Sequence, residues 1–261
     1  MIVLDTPHLI DTMVTFMLVS IRISAMLIAA PMFSTSSVST PIRVVVAFSI
    51  AALMLEAVNP PKIDILSPQG AIAIASEALI GAAIGFVFQM AFSAVAMAGE
   101  HISSTMGLGF AAMMDPQSGT QSPVITQFMS VMMLLVFMTV EGPHILLKQL
   151  AASFQAMPIG STLLRPETIL NLIKAGGLIF SAALLVSLPL VLALFLVTLL
   201  IGMLTRVAPQ LNLFSIGFSI SIIAGLLLIM IAIPSLSASM AGLLDEAAKN
   251  TRALFLPGMG E

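Results

Sequence analysis

The chain has 261 residues, of which 59% are hydrophobic and only 8% are charged, and its formal net charge is −3. Soluble domains carry roughly 25% charged residues, so a chain this apolar lacks the polar surface that it would need in water. The composition predicts an integral membrane protein, and the lack of a basic face excludes a nucleic-acid-binding protein. The absence of cysteine excludes a disulfide framework and a thiolate metal site.

Six apolar segments follow one another, at residues 9–33, 44–58, 71–98, 124–140, 172–204 and 213–244. A simple membrane-spanning helix needs roughly 20 residues, whereas the second and fourth segments have 15 and 17 and the last two have 33 and 32. Pro189 and Pro234 lie within the last two segments and predict a kink or a split in each. The uneven lengths predict an all-α, membrane-embedded fold with broken or kinked helices, shielded by other protein.

The first apolar segment is expected to be retained and not to be a signal peptide. Asp5 and Asp11 stand where a signal peptide carries Lys or Arg, and the segment is too long for an h-region.

The connections predict how the segments are grouped. The longest central connection covers residues 100–123 and contains several glycines, and a second Pro- and Gly-containing loop covers residues 157–167. We expect one intertwined domain, in which residues 1–157 form an N-terminal helical part and residues 172–261 form a C-terminal helical hairpin.

Three ionisable residues stand out against the apolar background. Arg22 lies near the middle of the first segment, Glu77 lies within the third, and Glu100 lies two residues after the end of the third. We expect all three to be buried charges, and such groups generally need a partner. A pair of Arg22 with Glu77 or Glu56 would be part of an ion path. Alternatively, Arg22 would form a structural ion pair or would face a polar subunit interface, and this structural interpretation is favoured.

Close helix packing is predicted at Gly81 and Gly85 in the third segment, with alanines continuing at helical spacing. Small residues three or four positions apart let two backbones approach closely in membrane proteins. The same packing would serve a subunit interface.

Nothing in the sequence predicts an enzyme or a bound cofactor. Glu100 and His101 are adjacent, and adjacent helical residues point about 100° apart, so they would not share one metal ion. No second cluster at ligand spacing follows, and the glycines at 107 and 109 lack the rest of a phosphate-binding loop. We expect no catalytic residue, no metal site and no cofactor.

The central connection has an apolar tip between flexible glycines. Methionine side chains are unbranched and adapt to irregular partners, so the tip could act as a movable plug in a water-filled pore. It could equally be an interfacial loop whose apolar residues dip into protein. The residues concerned are Met106, Gly107, Gly109, Phe110, Met113 and Met114.

A polar strip at 206–214 separates the last two apolar segments. It carries a cation, a helix-breaking proline and two carboxamides, none of them a catalytic group, and we interpret it as a hinge. Its residues of interest are Arg206, Pro209, Gln210, Asn212 and Phe214.

Several short sequence strings together carry a family resemblance. They are Arg22 with Ala30-Pro31-Met32-Phe33, Gly99-Glu100, Gly107-Leu108-Gly109-Phe110 leading to Asp115-Pro116 and Gly119, Glu141-Gly142-Pro143-His144, and above all Arg-Val-Ala-Pro-Gln-Leu-Asn-Leu-Phe at 206–214 followed by Gly217-Phe218. With these strings the chain resembles the FliR family of flagellar type III secretion export-gate subunits, which has close virulence-system relatives. At Glu141 the family usually has a small residue, and Gly217-Phe218 is more typical of flagellar members.

The resemblance implies a non-enzymatic structural subunit of the export gate, located in the bacterial inner membrane and the flagellar basal body. It implies a helical hetero-oligomer in which one copy of this chain joins several FliP-like and FliQ-like membrane subunits, beside other export-apparatus proteins. Residues 1–157 would be FliP-like and residues 172–261 FliQ-like. Unfolded flagellar subunits would pass through the centre.

The resemblance also implies roles for two loops. Residues 106–114 would help to close the channel at rest, and residues 206–214 would face the cytoplasmic entrance. The distribution of Lys and Arg favours the opposite side for that hinge, but the rule was derived for ordinary spans.

Two other functions fit the residues. A secondary transporter for a small solute would use Arg22, Glu77, Glu100 and Glu141 as a coupling route, and broken helices are typical of such proteins. An assembly factor would only template other subunits.

Overall fold

The computed structural model describes residues 6–33, 38–55, 58, 65, 67–108, 124–160, 166–207 and 217–255. Within these ranges the regular structure consists of seven helices, so the all-α prediction is confirmed. The helices are α1 (Thr6–Ala29), α2 (Thr40–Met54), α3 (Pro68–Thr105), α4 (Val124–Thr139), α5 (Gly142–Ala156), α6 (Pro166–Val207) and α7 (Phe218–Phe255).

Four of these helices are long and apolar enough to cross a membrane: α1, α3, α6 and α7. The helices α3, α6 and α7 have 38, 42 and 38 residues, well beyond the roughly 20 that a simple span needs. The helices α4 and α5 meet at a bend of 65° and together would make a fifth span. The predicted broken helix is found at this bend.

The bend between α4 and α5 is made by Glu141. Its backbone is left-handed, with φ 56° and ψ 37°, a conformation that residues with a Cβ adopt rarely. The amide of Val140 still closes α4, while the amides of His144 and Ile145 donate to the carbonyl oxygen of Glu141 at 2.9 and 3.0 Å. One residue thus ends the first helix and begins the second in a new direction.

A kink or a split was predicted at each of the two prolines, and the split is wrong. The helix α6 runs through Pro189 and α7 runs through Pro234 without interruption. A proline removes a single hydrogen bond to the residue four positions before it. In apolar surroundings the rest of the backbone gains most by staying helical, because only internal hydrogen bonds can satisfy it there.

The chain divides into two compact units. The first consists of Met1–Met90, Glu141–Gly176 and Asp245–Glu261. In it, α1 packs against α2 through Phe16 and Phe48, whose ring centroids are 5.5 Å apart. The hydroxyl of Thr168 donates to the carbonyl oxygen of Leu254 at 3.2 Å and ties the start of α6 to the end of α7.

The second unit consists of Ala91–Val140 and Gly177–Leu244. Its α3 and α4 portions pack closely at Gly99. A Cβ added to this glycine would lie only 2.8 Å from the Cα of Thr126. The rings of Phe92 and Phe137 meet edge to face at 5.6 Å, a favourable arrangement for two aromatic side chains. Met129 and Met133 of α4 are also fully buried.

Candidate functional site

The first unit contains a fully buried arginine with three hydrogen-bonded partners. The Nε of Arg22 donates to Oε2 of Glu77 at 2.6 Å, Nη1 donates to Oγ of Ser153 at 3.1 Å, and Nη2 donates to the carbonyl oxygen of Met157 at 3.0 Å. Arg22 is 0% exposed and Glu77 is 1% exposed. The cluster joins α1, α3 and the end of α5.

Two further contacts stabilise the buried guanidinium of Arg22. Its Cζ lies 4.1 Å from the centre of the Phe154 ring, close enough for a cation–π interaction. The hydroxyl of Ser153 accepts from Arg22 and donates to the carbonyl oxygen of Leu150 at 2.7 Å. A buried charge pair contributes little net stability, but an uncompensated partner is strongly destabilising. The geometry therefore describes a clasp that holds three helices in one register.

Gly81 and Gly85 bring α3 close enough to α1 to form this clasp. A Cβ added to Gly81 would overlap the carbonyl oxygen of Arg22, and one added to Gly85 would lie 2.5 Å from the carbonyl oxygen of Met26. Glu77 precedes Gly81 by four residues, so it lies one helical turn away on the same face of α3. The two glycines predicted to pack helices thus lie directly beside the buried ion pair.

The other two carboxylates considered in the sequence analysis are Glu100 and Glu56. Glu100 was expected to be buried, but it is exposed. Its neighbours Ala98 and Gly99 are buried, and the 100° rotation between successive residues turns Glu100 away from that packed side. Glu56, the other candidate partner of Arg22, lies outside the described residues.

The start of the predicted plug lies in the second unit. Met106 directly follows the end of α3 and is fully buried. Gly107 has a left-handed backbone with φ 81°, which is typical of the residue that ends a helix. The other predicted plug residues lie outside the described part of the chain: Gly109, Phe110, Met113 and Met114.

Of the predicted hinge at 206–214, the structure describes Arg206 and Val207. Arg206 lies in the last turn of α6 and is exposed, a position where a cation complements the negative end of the helix dipole. Its side chain is therefore free to face water or another molecule. The other hinge residues lie outside the described residues: Pro209, Gln210, Asn212 and Phe214.

Comparison with known proteins identifies the family. A family model described as "Bacterial export proteins, family 1" matches residues 13–247. The chain belongs to this family. The matched residues include the Arg22 clasp, Met106 and the polar strip at 206–214.

Several curated relatives support the same assignment, and each is named flagellar biosynthetic protein FliR. The Escherichia coli K12 protein is 36% identical over 214 residues, covering 82% of each chain. The Bacillus subtilis protein is 34% identical over 227 residues, covering 85% of this chain and 87% of the relative. The Pectobacterium carotovorum protein is 33% identical over 214 residues, covering 82% of each. The resemblance to the FliR family is confirmed, and the transporter alternative is not favoured.

This member of the export family leaves much of its apolar surface uncovered. In the most apolar parts of α6 and α7 only 22% of residues are buried, against 56% in α3. Leu185 on α6 and Ile231 on α7 are 73% and 75% exposed. Side chains of this kind need lipid or other protein around them.

Sequence reasoning missed several residues that the structure brings together. Ser153, Phe154 and Met157 complete the clasp, yet they lie more than 130 residues after Arg22. An uncharged serine and a backbone carbonyl carry no signal that would mark them as partners of a distant arginine. Gly225 of α7, which contacts Met106, was missed for the same reason.

Proposed function

We propose that this protein is a structural subunit of the protein-conducting export gate of a bacterial flagellar type III secretion system, in the inner membrane at the flagellar basal body. The match of the export-family model over residues 13–247 carries the proposal. The relatives' shared name, flagellar biosynthetic protein FliR, supports the flagellar system. The cargo is unfolded flagellar subunits.

The partners proposed for this subunit are FliP-like and FliQ-like membrane proteins, several copies of each around one copy of this chain. The uncovered apolar faces of α6 and α7 support a hetero-oligomer. Helices of 42 and 38 residues exceed an ordinary span, so protein neighbours must cover what the hydrocarbon layer cannot. Partner subunits would bury the side chains exposed in the single chain.

The Arg22 clasp gives the pore wall its rigidity in this proposal. Each charge of the pair faces the other inside a packed unit, and the donors on Nη1 and Nη2 have acceptors of their own. An ion path needs groups that exchange protons or ions with water, whereas Arg22 and Glu77 have almost no exposed surface. The pair therefore serves structure and not conduction.

The two loops complete the gate. Residues 106–114 form the plug that closes the channel between export events, and residues 206–214 face its cytoplasmic entrance. The buried side chain of Met106 and the left-handed Gly107 support a firmly held start of the plug. The exposed Arg206 supports a polar entrance.

Gene deletion in the bacterium that carries this chain tests the function. We expect the deletion strain to stop secreting hook and filament subunits into the medium, and the restored wild-type gene to bring secretion back. Total cellular amounts of the same subunits serve as the control for expression. Continued secretion without the gene would contradict the proposal, and a loss of small-solute uptake with secretion intact would indicate a transporter.

A further inference from the structure

A groove of about 450 Å³ runs along α1 in the first unit. Seven of its nine lining residues lie on α1 between Phe16 and Ile28, while α2 supplies Phe48 and α3 supplies Ala78. The α1 residues recur at helical spacing, so they form one stripe on a single face of the helix. At 1.5 Å per residue this stripe is about 18 Å long.

The groove is hollow because small side chains lie between bulky ones. Ser20 is only 4% exposed and forms part of its floor, whereas Ile28 and Phe48 are 60% and 47% exposed and stand at its edges. The rings of Phe16 and Phe48 pack against each other with centroids 5.5 Å apart, so α1 and α2 are joined along one side. The hollow is therefore a feature of how these helices pack.

The chemistry of the lining favours a hydrocarbon occupant. Among the described residues that line the groove, Ser20 and Ser24 are polar and none is ionisable. The hydroxyl of Ser20 already donates to the carbonyl oxygen of Phe16 at 2.7 Å. Apolar cavities do not hold water, but they do bind apolar molecules. Residues 11–29 of α1 are apolar enough to cross a membrane, so lipid chains are available at this depth.

The shape of the groove favours a single hydrocarbon chain over a helix. Its volume divided by its length gives a cross-section of about 25 Å². A helix with its side chains is about 10–12 Å across and needs roughly 80–110 Å². An extended hydrocarbon chain, with neighbouring carbon atoms about 4 Å away, needs roughly 20 Å². One acyl chain thus fills the groove, whereas a helix would only lie across its opening.

We propose that this groove binds one acyl chain of a membrane phospholipid. The acyl chain lies along α1 between α2 and α3 and fills the space that their side chains leave open. Arg22 lies about 200° around α1 from Ser20 and from Ser24, so the lipid packs on the side of α1 opposite the clasp. The inference goes beyond the proposed function, because it requires only that α1 lies in a bilayer.

The first experiment labels the groove in the wild-type gate. The complete complex is reconstituted into vesicles of phosphatidylethanolamine and phosphatidylglycerol, in which some phospholipid carries a diazirine in the middle of one acyl chain. The complex is then extracted in mild detergent, washed and irradiated, and the modified residues are mapped by mass spectrometry. Washing removes loosely held lipid, so we expect phospholipid adducts within residues 16–28. No such adduct in this stretch would overturn the proposal.

The second experiment fills the groove with a side chain. Ser24→Leu places an isobutyl group in its middle, and we expect adducts within residues 16–28 to fall by about tenfold or more, because the leucine displaces at least two methylene groups of the acyl chain. Ser49→Leu is the matched control, since Ser49 is exposed on α2 and does not line the groove. Equal labelling of the two variants would overturn the proposal.

A second pair of variants keeps this test informative if Ser24→Leu assembles poorly. Ala78→Leu fills the groove from α3, and Ala52→Leu makes the same change at an exposed residue of α2 that does not line it. We expect labelling to fall in the first variant and to stay at the wild-type level in the second. The reverse order, or no difference, would overturn the proposal.

Native mass spectrometry of the same complexes identifies the occupant. We expect the wild-type complex to retain one phospholipid that the Ser24→Leu complex lacks. A free fatty acid or a detergent molecule in its place would overturn the proposal. A helix of a partner subunit in the groove would instead make Ser24→Leu lower the yield of the complex while the retained lipid stayed the same, and this result would also overturn it.

These results are distinguishable from a failure of the proposed function. A gate that restores flagellar secretion in the deletion strain but yields no adduct within residues 16–28 would overturn the lipid site alone. Adducts in a protein that does not restore secretion would overturn the proposed function and leave the lipid site standing.

Discussion

Arg22 of α1 and Glu77 of α3 form a 2.6 Å ion pair although 55 residues separate them in the chain. Both side chains are buried, and Oγ of Ser153 and the carbonyl oxygen of Met157 accept hydrogen bonds from Nη1 and Nη2 of Arg22 at 3.1 and 3.0 Å. The pair places a polar joint inside an apolar protein. It makes the relative position of three helices depend on one side chain.

Removing one charge of this pair should destabilise the complex far more than removing both charges. We expect Arg22→Met to destabilise the gate by about 3–5 kcal/mol, because Glu77 is left as an uncompensated buried charge, while Arg22→Met/Glu77→Met recovers most of the loss. Thermal unfolding of the purified complex in detergent measures both. Lys249→Met is the control, since the Lys249–Asp245 pair is exposed and exposed pairs contribute little.

The same variants distinguish a structural pair from an ion path. If the double variant assembles with near-normal stability and still exports, the pair is structural. Loss of export in a stable double variant would contradict that conclusion and favour conduction through the pair.

Gly81 should tolerate no side chain. Gly81→Ala places a methyl group on the carbonyl oxygen of Arg22, so we expect a loss of about 1–3 kcal/mol, the usual cost of overpacking. Gly177→Ala is the matched control because Gly177 is exposed and has nothing within 4 Å. That control should gain up to about 1 kcal/mol from better helix propensity, so equal shifts in unfolding temperature would contradict the account.

The bend at Glu141 predicts a stabilising substitution. Its left-handed backbone, with φ 56°, costs a residue with a Cβ about 1–2 kcal/mol relative to glycine, so Glu141→Gly should raise the unfolding temperature of the complex. The opposite sign is expected for Glu100→Gly, which places glycine in the exposed helical part of α3 at a cost of about 1 kcal/mol. Destabilisation by Glu141→Gly would show that its carboxylate has a role that the structure of the single chain does not contain.

The plug proposal predicts that removing the plug changes the ion permeability of the resting membrane but not the assembly of the complex. Deletion of residues 107–114 should leave the yield of the hetero-complex unchanged, because the Arg22 clasp is built from α1, α3 and α5. The deletion should make the resting membrane leak small ions. Ion-sensitive dyes in intact cells measure the leak, with the wild-type gene as control. Unchanged membrane tightness in the deletion strain would count against the plug.

The sequence predicted the features that depend on composition or on residues close together in the chain. Composition gave the membrane class, and the spacing of Gly81 and Gly85 predicted close packing that the structure places beside Arg22. The position of Arg22 and Glu77 in apolar segments led us to expect partners for them, but no local pattern could select Glu77 over Glu56. That choice depends on how α1 and α3 pack, which is a tertiary property.

The errors have physical reasons of the same kind. Pro189 and Pro234 suggested a kink or a split, and the split is wrong: the long apolar helices continue through both prolines, because a single missing bond is tolerated where only internal bonds are available. Glu100 was expected to be buried because it follows an apolar segment, yet helix rotation turns it outward. The close contact between Met106 and Gly225 joins residues more than a hundred positions apart. Neither residue carries a sequence signal that predicts the other as its neighbour.

Native mass spectrometry of this chain, expressed alone and together with its FliP-like and FliQ-like neighbours, tests the central claim most directly. Because α6 and α7 leave most of their apolar surface uncovered, we predict a mixed particle of fixed composition containing one copy of this chain, and an unstable product when the chain is expressed alone. A stable detergent-solubilised monomer that forms no complex with the co-expressed FliP-like and FliQ-like subunits would contradict the account.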